Sequence, residues 1–480
     1  MKEKSFNYFI NSFIILSSIS LLVYTAYRAS VLSFTHDESV SFNKYVQSSA
    51  WDIISYHVDP AIANNHILNT LFMKWQSAIF GTSEFSLRLH SWLAHIFYLL
   101  FSYLILKETK SKVILLLGFI LLNFNPYLLD YFSLARGYAL SISLMMISLF
   151  YFIKYYNHRI IRYSYISLLL AVLAALANFS LISYCIALIV VFELVYFQKK
   201  EKLSSIIKLN IPILLTLIAL FLIYKGPIKI LADNHQLTFE SDGSIGFDTV
   251  ISSVMCYLYS TKYYSDLFVF FRLLVTITAG GFIIVTFLQI KSKTITSFSY
   301  ISFILCLILL FNLIQHQLFG SSYFRERFAL FLVPLFFITF LNIVLFLINK
   351  SIVFSSIGYL SILSTIFCSL IIFTTSINLN YNSTWKYDTD TKKMISEIAL
   401  KEKKKITIGI SWIFEPAINF YITTKKIKNI EPVNRYGLQG DYDYYYVAEP
   451  EFESFNKLHK KFIKYFPKSG TVLFKNQSKK

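Results

Sequence analysis

Two adjacent acids, Asp37 and Glu38, follow a histidine in the stretch VLSFTHDESVSFNKY (residues 31–45). A positioned carboxylate can act as a general base that takes the proton from an attacking hydroxyl, and this accelerates a reaction by about 10²–10⁴-fold. The pair comes shortly after an apolar N-terminal run, so it should lie near a membrane surface. We therefore predict a catalytic carboxylate here; the simpler interpretation is a pair of ordinary loop acids.

Three arginines stand at the ends of apolar runs: Arg136 in LARGYAL, and Arg325 and Arg327 in the turn HQLFGSSYFRER (316–327). Guanidinium groups bind phosphate oxygens in pairs, so these residues are candidates for holding a lipid phosphate. Anchoring at the membrane interface is the alternative role.

Four further residues are candidates for the same site because they carry polar side chains next to these segments: Asn65, His66, Asp130 and Tyr323. His36, His57 and His66 share one loop, but their spacing is too wide for a helical metal-binding pair. The four cysteines (185, 256, 306 and 368) are far apart and indicate neither a metal site nor a disulfide framework. No cofactor is predicted firmly, and a divalent metal ion stays open as an alternative.

The composition shows what must position these residues. Hydrophobic residues make up 55% of the 480-residue chain, charged residues make up 15%, and the mean hydropathy is +0.55. A soluble domain is about one-quarter charged, so this protein is integral to a membrane. About eleven runs are long enough to span a bilayer: 8–27, 89–106, 113–132, 134–153, 163–181, 182–198, 207–224, 266–290, 297–315, 327–348 and 352–376.

The net charge of +18 is explained by lysines and arginines in alternate short connections, which are typical of cytoplasmic loops. Nucleic acid is therefore not an expected partner. The same pattern predicts a cytoplasmic N-terminus in the cell membrane. It places residues 28–88, 225–265, 316–327 and 377–480 outside.

The chain divides into a membrane domain (1–376), with a first outer loop at 28–88, and a C-terminal extracytoplasmic α/β domain (377–480). In the C-terminal domain we predict helices in DTKKMISEIALKEKKK, EPAINFYITTKK and EFESFNKLHKKFIKYF, and strands in ITIGIS and DYDYYYVAE. The outer loop is predicted to contain an amphipathic helix, which either lies on the membrane or packs on the bundle. Its apolar residues at helical spacing are Leu68, Leu71, Phe72, Trp75 and Ile79.

An acidic pair in a large first outer loop, followed by NNHILNTLFMKWQSAIFGTSEFSLRLHSWLAH and then NPYLLDYFSLARGYAL, resembles the GT-C superfamily of polytopic glycosyltransferases. The branch it looks most like contains the protein O-mannosyltransferases and lipid A aminoarabinose transferases, and FGTSEFSLRL carries most of the resemblance. The resemblance implies a GT-C-like α-helical membrane fold, a sugar donor linked through phosphate to a polyprenyl lipid, and Asp37 as the catalytic base. The chain has NNHIL where many relatives have HPP, and Leu134 where they have an acid; Asp130 is the candidate substitute for that acid.

Direct displacement of a phosphate needs one carboxylate and inverts the anomeric centre, whereas glycoside hydrolysis needs two. The leading hypothesis is an inverting transferase that acts on a lipid, glycan or protein acceptor at the outer face, among membrane lipids. Two alternatives are a lipid-linked glycan polymerase or ligase, and a non-enzymatic transporter or flippase. A transporter would carry more charges within its spans than this chain does.

Overall fold

The computed structural model describes residues 2–59, 61–199, 203–236, 265–321, 323–324, 326–455, 457 and 459–478. Helices dominate these residues, and their bounds are α1 Lys2–Val31, α2 His36–Ser41, α3 Ala50–Ser55, α4 Ile67–Phe80, α5 Glu84–Lys107, α6 Lys112–Asn123, α7 Pro126–Phe132, α8 Gly137–His158, α9 Ile161–Ala177, α10 Ile182–Lys199, α11 Leu203–Asp233, α12 Ser265–Ser292, α13 Ser297–Phe319, α14 Leu332–Ile348, α15 Ile352–Ser376, α16 Thr391–Lys401 and α17 Glu415–Thr424. Four strands follow the bundle: β1 Ile408–Ile410, β2 Tyr444–Ala448, β3 Lys460–Phe466 and β4 Thr471–Asn476.

The described residues include eight helices that are long and apolar enough to cross a membrane, or nine if the bent pair α6–α7 is one span. The protein is thus a multi-pass helical membrane protein, but the expected count of eleven spans is not confirmed. The other two apolar helices, α9 and α14, have 17 residues each. At 1.5 Å per residue they reach about 25 Å, which is less than the roughly 30 Å of a hydrocarbon core.

The run 113–132, predicted as one span, is broken in the structure. Helix α6 ends at Asn123, and α7 leaves it at an angle of 64°. Asn125 caps α7 by accepting hydrogen bonds from the backbone N–H groups of Tyr127 and Leu128, and Pro126 takes the first helical position. An Asn-Pro pair is a strong helix-start signal, so the sequence carried the information for this break.

The connections predicted to share one side of the membrane do meet. Lys154 forms an ion pair of 2.6 Å with Glu108, and the hydroxyl of Tyr156 donates to the carbonyl of Ile295. These contacts lie at the C-terminal end of α5, whereas Glu84 at its other end contacts Lys392 of the C-terminal domain. The structure therefore separates the two sets of loops as expected; which side is cytoplasmic stays a prediction.

The C-terminal domain contains a four-stranded sheet in the order β1-β2-β4-β3. Strands β1 and β2 are parallel and are connected through α17, while β4 pairs antiparallel with both β2 and β3. The prediction of a helix over residues 451–466 was wrong, because Lys460–Phe466 forms strand β3. Gly470, at φ +66°, closes a hairpin turn, and pairing along β4 outweighs the helical spacing of the lysines.

The first outer loop and the C-terminal domain share one hydrophobic core. Phe34 stacks on Phe420 of α17 at 4.2 Å between ring centroids, and Phe42 meets the same ring edge-on at 5.1 Å. The predicted amphipathic helix is α4. Its polar residues Asn69 and Gln76 are buried. Of its predicted apolar residues, Trp75 and Ile79 are exposed, whereas Leu71 is buried in a hydrophobic cluster.

Candidate active site

The acidic pair lies in the short helix α2, which is fixed by a reciprocal cap. The N–H of Glu38 donates to the hydroxyl of Thr35, and the N–H of Thr35 donates to the Glu38 carboxylate at 2.9 Å. This capping box sets the start of the helix and therefore the direction of Asp37.

Glu38 is fully buried and fully engaged. Arg88 binds it through two parallel bonds, Nε to Oε1 at 2.8 Å and Nη2 to Oε2 at 2.7 Å. The N–H of Ala135 donates to Oε1 at 2.6 Å. Arg88 also donates to the carbonyls of Ala29, Leu32 and Ser33. The carboxylate of Glu38 thus joins α2 to α5 and to the segment before α8.

Asp37 faces the opposite kind of environment. Its side chain is 16% exposed, and its Oδ2 lies 3.3 Å from Nη2 of Arg136 and 3.7 Å from Nη2 of Arg327. Arg136 is the N-cap of α8, and Arg327 belongs to a 3₁₀ turn before α14. Two cations from distant parts of the chain therefore converge on the acid that the sequence singled out.

The two arginines retain binding capacity. The Nε atoms of Arg136 and Arg327 are buried without a hydrogen-bond partner. Nη1 of Arg136 makes long contacts, 3.3–3.4 Å, to Ser41 and to the carbonyls of Asp37 and Asn64. Two guanidinium groups and one carboxylate leave a formal charge of +1, which is suited to a further anion.

His66 lies behind the arginines, and its imidazole is buried. Burial and the charges of Arg136 and Arg327 hold its pKa well below the usual value, and one ring nitrogen bonds to the carbonyl of Ala177. Nε2 has no partner. Gly137 makes this arrangement possible, since a Cβ there would lie 1.9 Å from that carbonyl oxygen. His66 is therefore a neutral ring that can accept a hydrogen bond but cannot pair with a phosphate charge.

Two aromatic residues that the sequence analysis did not identify, Trp385 and Tyr138, lie against the predicted site residues. The guanidinium of Arg327 lies over the ring of Trp385 at 5.4 Å. The ring of Tyr138 meets His66 edge-on at 5.0 Å. Tyr138 is two residues from Arg136, so its closeness in sequence to a predicted site residue could have identified it. Trp385 reaches the site only through the tertiary fold.

A second acid, Asp388, also comes from the segment after α15. Its carboxyl is buried and accepts a hydrogen bond of 2.6 Å from the N–H of His36. Burial, and then the charges of Asp37 and Glu38, raise its pKa well above the usual value, despite the opposing bond from His36. Asp388 thus holds the start of α2 through its hydrogen bond with the N–H of His36.

No protein-family model matches the sequence, and no curated protein matches it. Its structure is similar to that of ArnT from Cupriavidus metallidurans in the apo state, with a TM-score of 0.56 and 9% identity over 98% of each chain. For the same ArnT bound to undecaprenyl phosphate, the TM-score is 0.52 and the identity is 9%, over 96% of this chain and 98% of that chain. The chain has the GT-C fold. For the oligosaccharyltransferase from Archaeoglobus fulgidus, the TM-score is 0.46 and the identity is 13%, over 96% of this chain and 74% of that chain.

The other predicted site residues that the structure describes make contacts of their own. Asp130 forms a buried ion pair with Arg28 and accepts from the N–H of Ser383, which ties α7 to α1 and to the chain after α15. Tyr323 stacks on the ring of His316 at 4.1 Å. Arg325 lies outside the described residues.

Asn65 stabilises the loop before α4. Its amide donates to the carbonyl of Ile53 and its oxygen accepts from Thr70, each at 2.9 Å. Its neighbour Asn64 is the residue that reaches the site, donating to the carbonyl of Asp37 at 2.9 Å. One position in the sequence separates the two roles, and only the structure distinguishes them.

In the part of the chain that the structure describes, no three His, Cys, Asp or Glu side chains are grouped to hold a metal ion. Cys185, Cys306 and Cys368 are free thiols there, and Cys256 lies outside the described residues. Among the described residues, Arg136 and Arg327 are the cations that form ion pairs with Asp37.

Proposed function

We propose that the protein is a membrane glycosyltransferase that moves a sugar from a polyprenyl-phosphate-linked donor to an acceptor hydroxyl, with Asp37 as the general base. The observation that carries this proposal is the convergence of Arg136 and Arg327 on the partly exposed Asp37 carboxylate. The GT-C fold supports it, and so does the structure of ArnT bound to undecaprenyl phosphate.

The charge of the site favours this type of donor. A sugar linked through phosphate to a lipid is a phosphodiester with one negative charge, which matches the +1 left by the two arginines and Asp37. The Nε groups of Arg136 and Arg327 have no hydrogen-bond partner, and the guanidinium groups are proposed to donate to phosphate oxygens. Charge-assisted bonds of this kind are about twice as strong as neutral ones.

The reaction proceeds by direct displacement. Asp37 takes the proton of the acceptor hydroxyl while the oxygen of that hydroxyl bonds to the anomeric carbon. The bond from that carbon to the phosphate oxygen breaks, and the electron pair leaves on the polyprenyl phosphate. Arg136 and Arg327 stabilise the charge that develops on the phosphate. The anomeric centre is inverted, and no second acid is needed.

The remaining residues support this chemistry in different ways. His66 is proposed to accept a hydrogen bond from a sugar hydroxyl, because its ring is neutral. Glu38, Asn65 and Asp130 are proposed to hold the loops that shape the site. Arg325 and Tyr323 stay candidates for contacts with the donor. We place the reaction on the outer face of the cell membrane, with the N-terminus cytoplasmic and the C-terminal domain extracytoplasmic.

The test is mass spectrometry of glycolipids and glycans from cells that carry Asp37→Asn, compared with wild type and a full deletion. Loss of the same sugar from the point variant and the deletion supports the proposal and identifies the sugar and its acceptor. Asp59→Asn, an exposed acid of the same loop, is the matched control and is expected to retain the sugar. A deletion that loses a sugar which Asp37→Asn keeps would show that Asp37 is not the base.

A further inference from the structure

A second polar cavity, of about 420 Å³, lies where the C-terminal domain meets the membrane bundle. One wall consists of Tyr27 and Val31 at the end of α1 and Leu379 just after α15. The lining also includes three lysines, Lys392, Lys393 and Lys468. Asp37 and the two arginines that converge on it, Arg136 and Arg327, do not line this cavity.

The apolar residues of the lining lie at or just beyond the ends of two helices that are long enough to span a bilayer. Tyr27, Val31 and Leu379 are each 40–50% exposed. A side chain of this kind at the end of a span contacts lipid near the headgroups. The cavity therefore opens toward lipid on one side and toward the polar domain on the other.

The lysines of the lining have an excess of positive charge. Lys392 is neutralised by Glu84 at 2.7 Å, and Lys468 donates to the side-chain oxygen of Asn380, which is neutral. The acid of the lining, Asp390, accepts from the hydroxyl of Ser469 at 3.0 Å. With Lys392 neutralised, Lys393, Lys468 and Asp390 leave the lining with a formal net charge of +1.

We propose that this cavity binds the phosphate headgroup of an anionic phospholipid from the leaflet next to the C-terminal domain. The phosphate lies between Lys393 and Lys468, and the first part of an acyl chain lies along Tyr27, Val31 and Leu379. A lipid is favoured over a free anion because Tyr27, Val31 and Leu379 add an apolar part to the lining, at or just beyond the ends of two helices long enough to span a bilayer. The bound lipid joins α1 to α16 and to the β3–β4 turn, so it stabilises the seating of the C-terminal domain on the bundle.

The experiment counts bound lipids on the purified full-length protein by native mass spectrometry in neutral detergent, with added phosphatidylglycerol or phosphatidylcholine. The test variant is Lys393→Gln/Lys468→Gln, which leaves the ion pair between Lys392 and Glu84 intact. The matched control is Lys403→Gln/Lys404→Gln, two exposed lysines of the same domain that do not line the cavity.

Wild type and the control are expected to retain one more phosphatidylglycerol than the test variant. Two lysines near a lipid surface correspond to a loss of about 30-fold in apparent affinity. Phosphatidylcholine is expected to bind all three proteins equally weakly. Equal retention of phosphatidylglycerol by the test variant and wild type would overturn the proposal.

A second arm separates lipid from free phosphate. Inorganic phosphate is expected to leave the bound phosphatidylglycerol in place, and displacement at equal concentration would show that the site is a simple anion site. Should the double variant elute as aggregate, Lys468→Gln alone, in an exposed turn, is expected to lose about fivefold in affinity. The transfer reaction does not enter either measurement, so the two proposals fail independently.

Discussion

Replacing Glu38 by Gln and Asp37 by Asn should have opposite effects, although the two acids are adjacent. Glu38→Gln removes the charge opposite Arg88, whose guanidinium is fully buried. An arginine cannot lose its proton in a protein, so the variant keeps an uncompensated buried cation. Breaking a buried pair in this way costs about 3–5 kcal/mol. The carbonyls of Ala29, Leu32 and Ser33 still solvate Arg88, so the lower end, about 3 kcal/mol, is expected.

Asp37→Asn should cost less stability. Its carboxylate is 16% exposed and its ion-pair contacts, at 3.3 and 3.7 Å, are longer than those of Glu38, so a loss below the roughly 3 kcal/mol of Glu38→Gln is expected. The transfer rate, by contrast, should fall by about 10²–10⁴-fold, because the general base is gone. Glu38→Gln protein that is still folded should retain its transfer rate per folded molecule.

Both quantities can be measured on the same preparations. Stability is obtained from unfolding in mixed micelles at increasing SDS, followed by tryptophan fluorescence, and activity from sugar transfer in a membrane assay. Glu431→Gln is the control, since its pair with Lys405 is exposed and 3.2 Å long and is worth less than about 1 kcal/mol. Folded Glu38→Gln protein that is as inactive as Asp37→Asn, or that unfolds like wild type, would refute the assignment of roles.

Three further outcomes are expected. Gly137→Ala should destabilise the protein by about 1–3 kcal/mol, because the new Cβ would lie 1.9 Å from the Ala177 carbonyl oxygen. Gly280→Ala is the control, since a Cβ there has nothing within 4 Å and should not destabilise the protein. Unfolding in SDS compares the two variants, and equal stability would contradict the packing at Gly137. Asp388 has a raised pKa, so the stability it contributes is present at low pH and is lost as the pH rises through its folded pKa. Between about pH 5 and about pH 9, the free energy of unfolding should therefore fall less for Asp388→Asn than for wild type. Parallel curves for the two proteins would exclude this role. Arg327→Lys should raise the KM for a polyprenyl-phosphate donor by about tenfold or more, because an ammonium cannot bind two phosphate oxygens side by side, and steady-state kinetics with an unchanged KM would remove Arg327 from the donor site.

The motifs that carried the resemblance have physical roles that the sequence did not state. In FGTSEFSLRL, Ser83 caps α5, Glu84 pairs with Lys392, and Arg88 binds Glu38. In LARGYAL, Arg136 reaches Asp37 and Gly137 leaves room for His66. Apart from the local Ser83 cap, these contacts join segments separated by 50 to more than 300 positions, so spacing alone could not reveal them.

The sequence by itself determined the membrane class, the position of most helices, the separation of the two sets of loops and the location of the acidic pair. Hydrophobic runs and caps are local, and they act within a few residues. It misassigned β3, because strand pairing depends on a partner elsewhere in the chain. Only the tertiary structure decided that Asp37 faces two arginines while Glu38 is buried against Arg88. The physical reason is that successive residues on a helix point in directions about 100° apart, so adjacent acids are placed in different environments once the helix is packed.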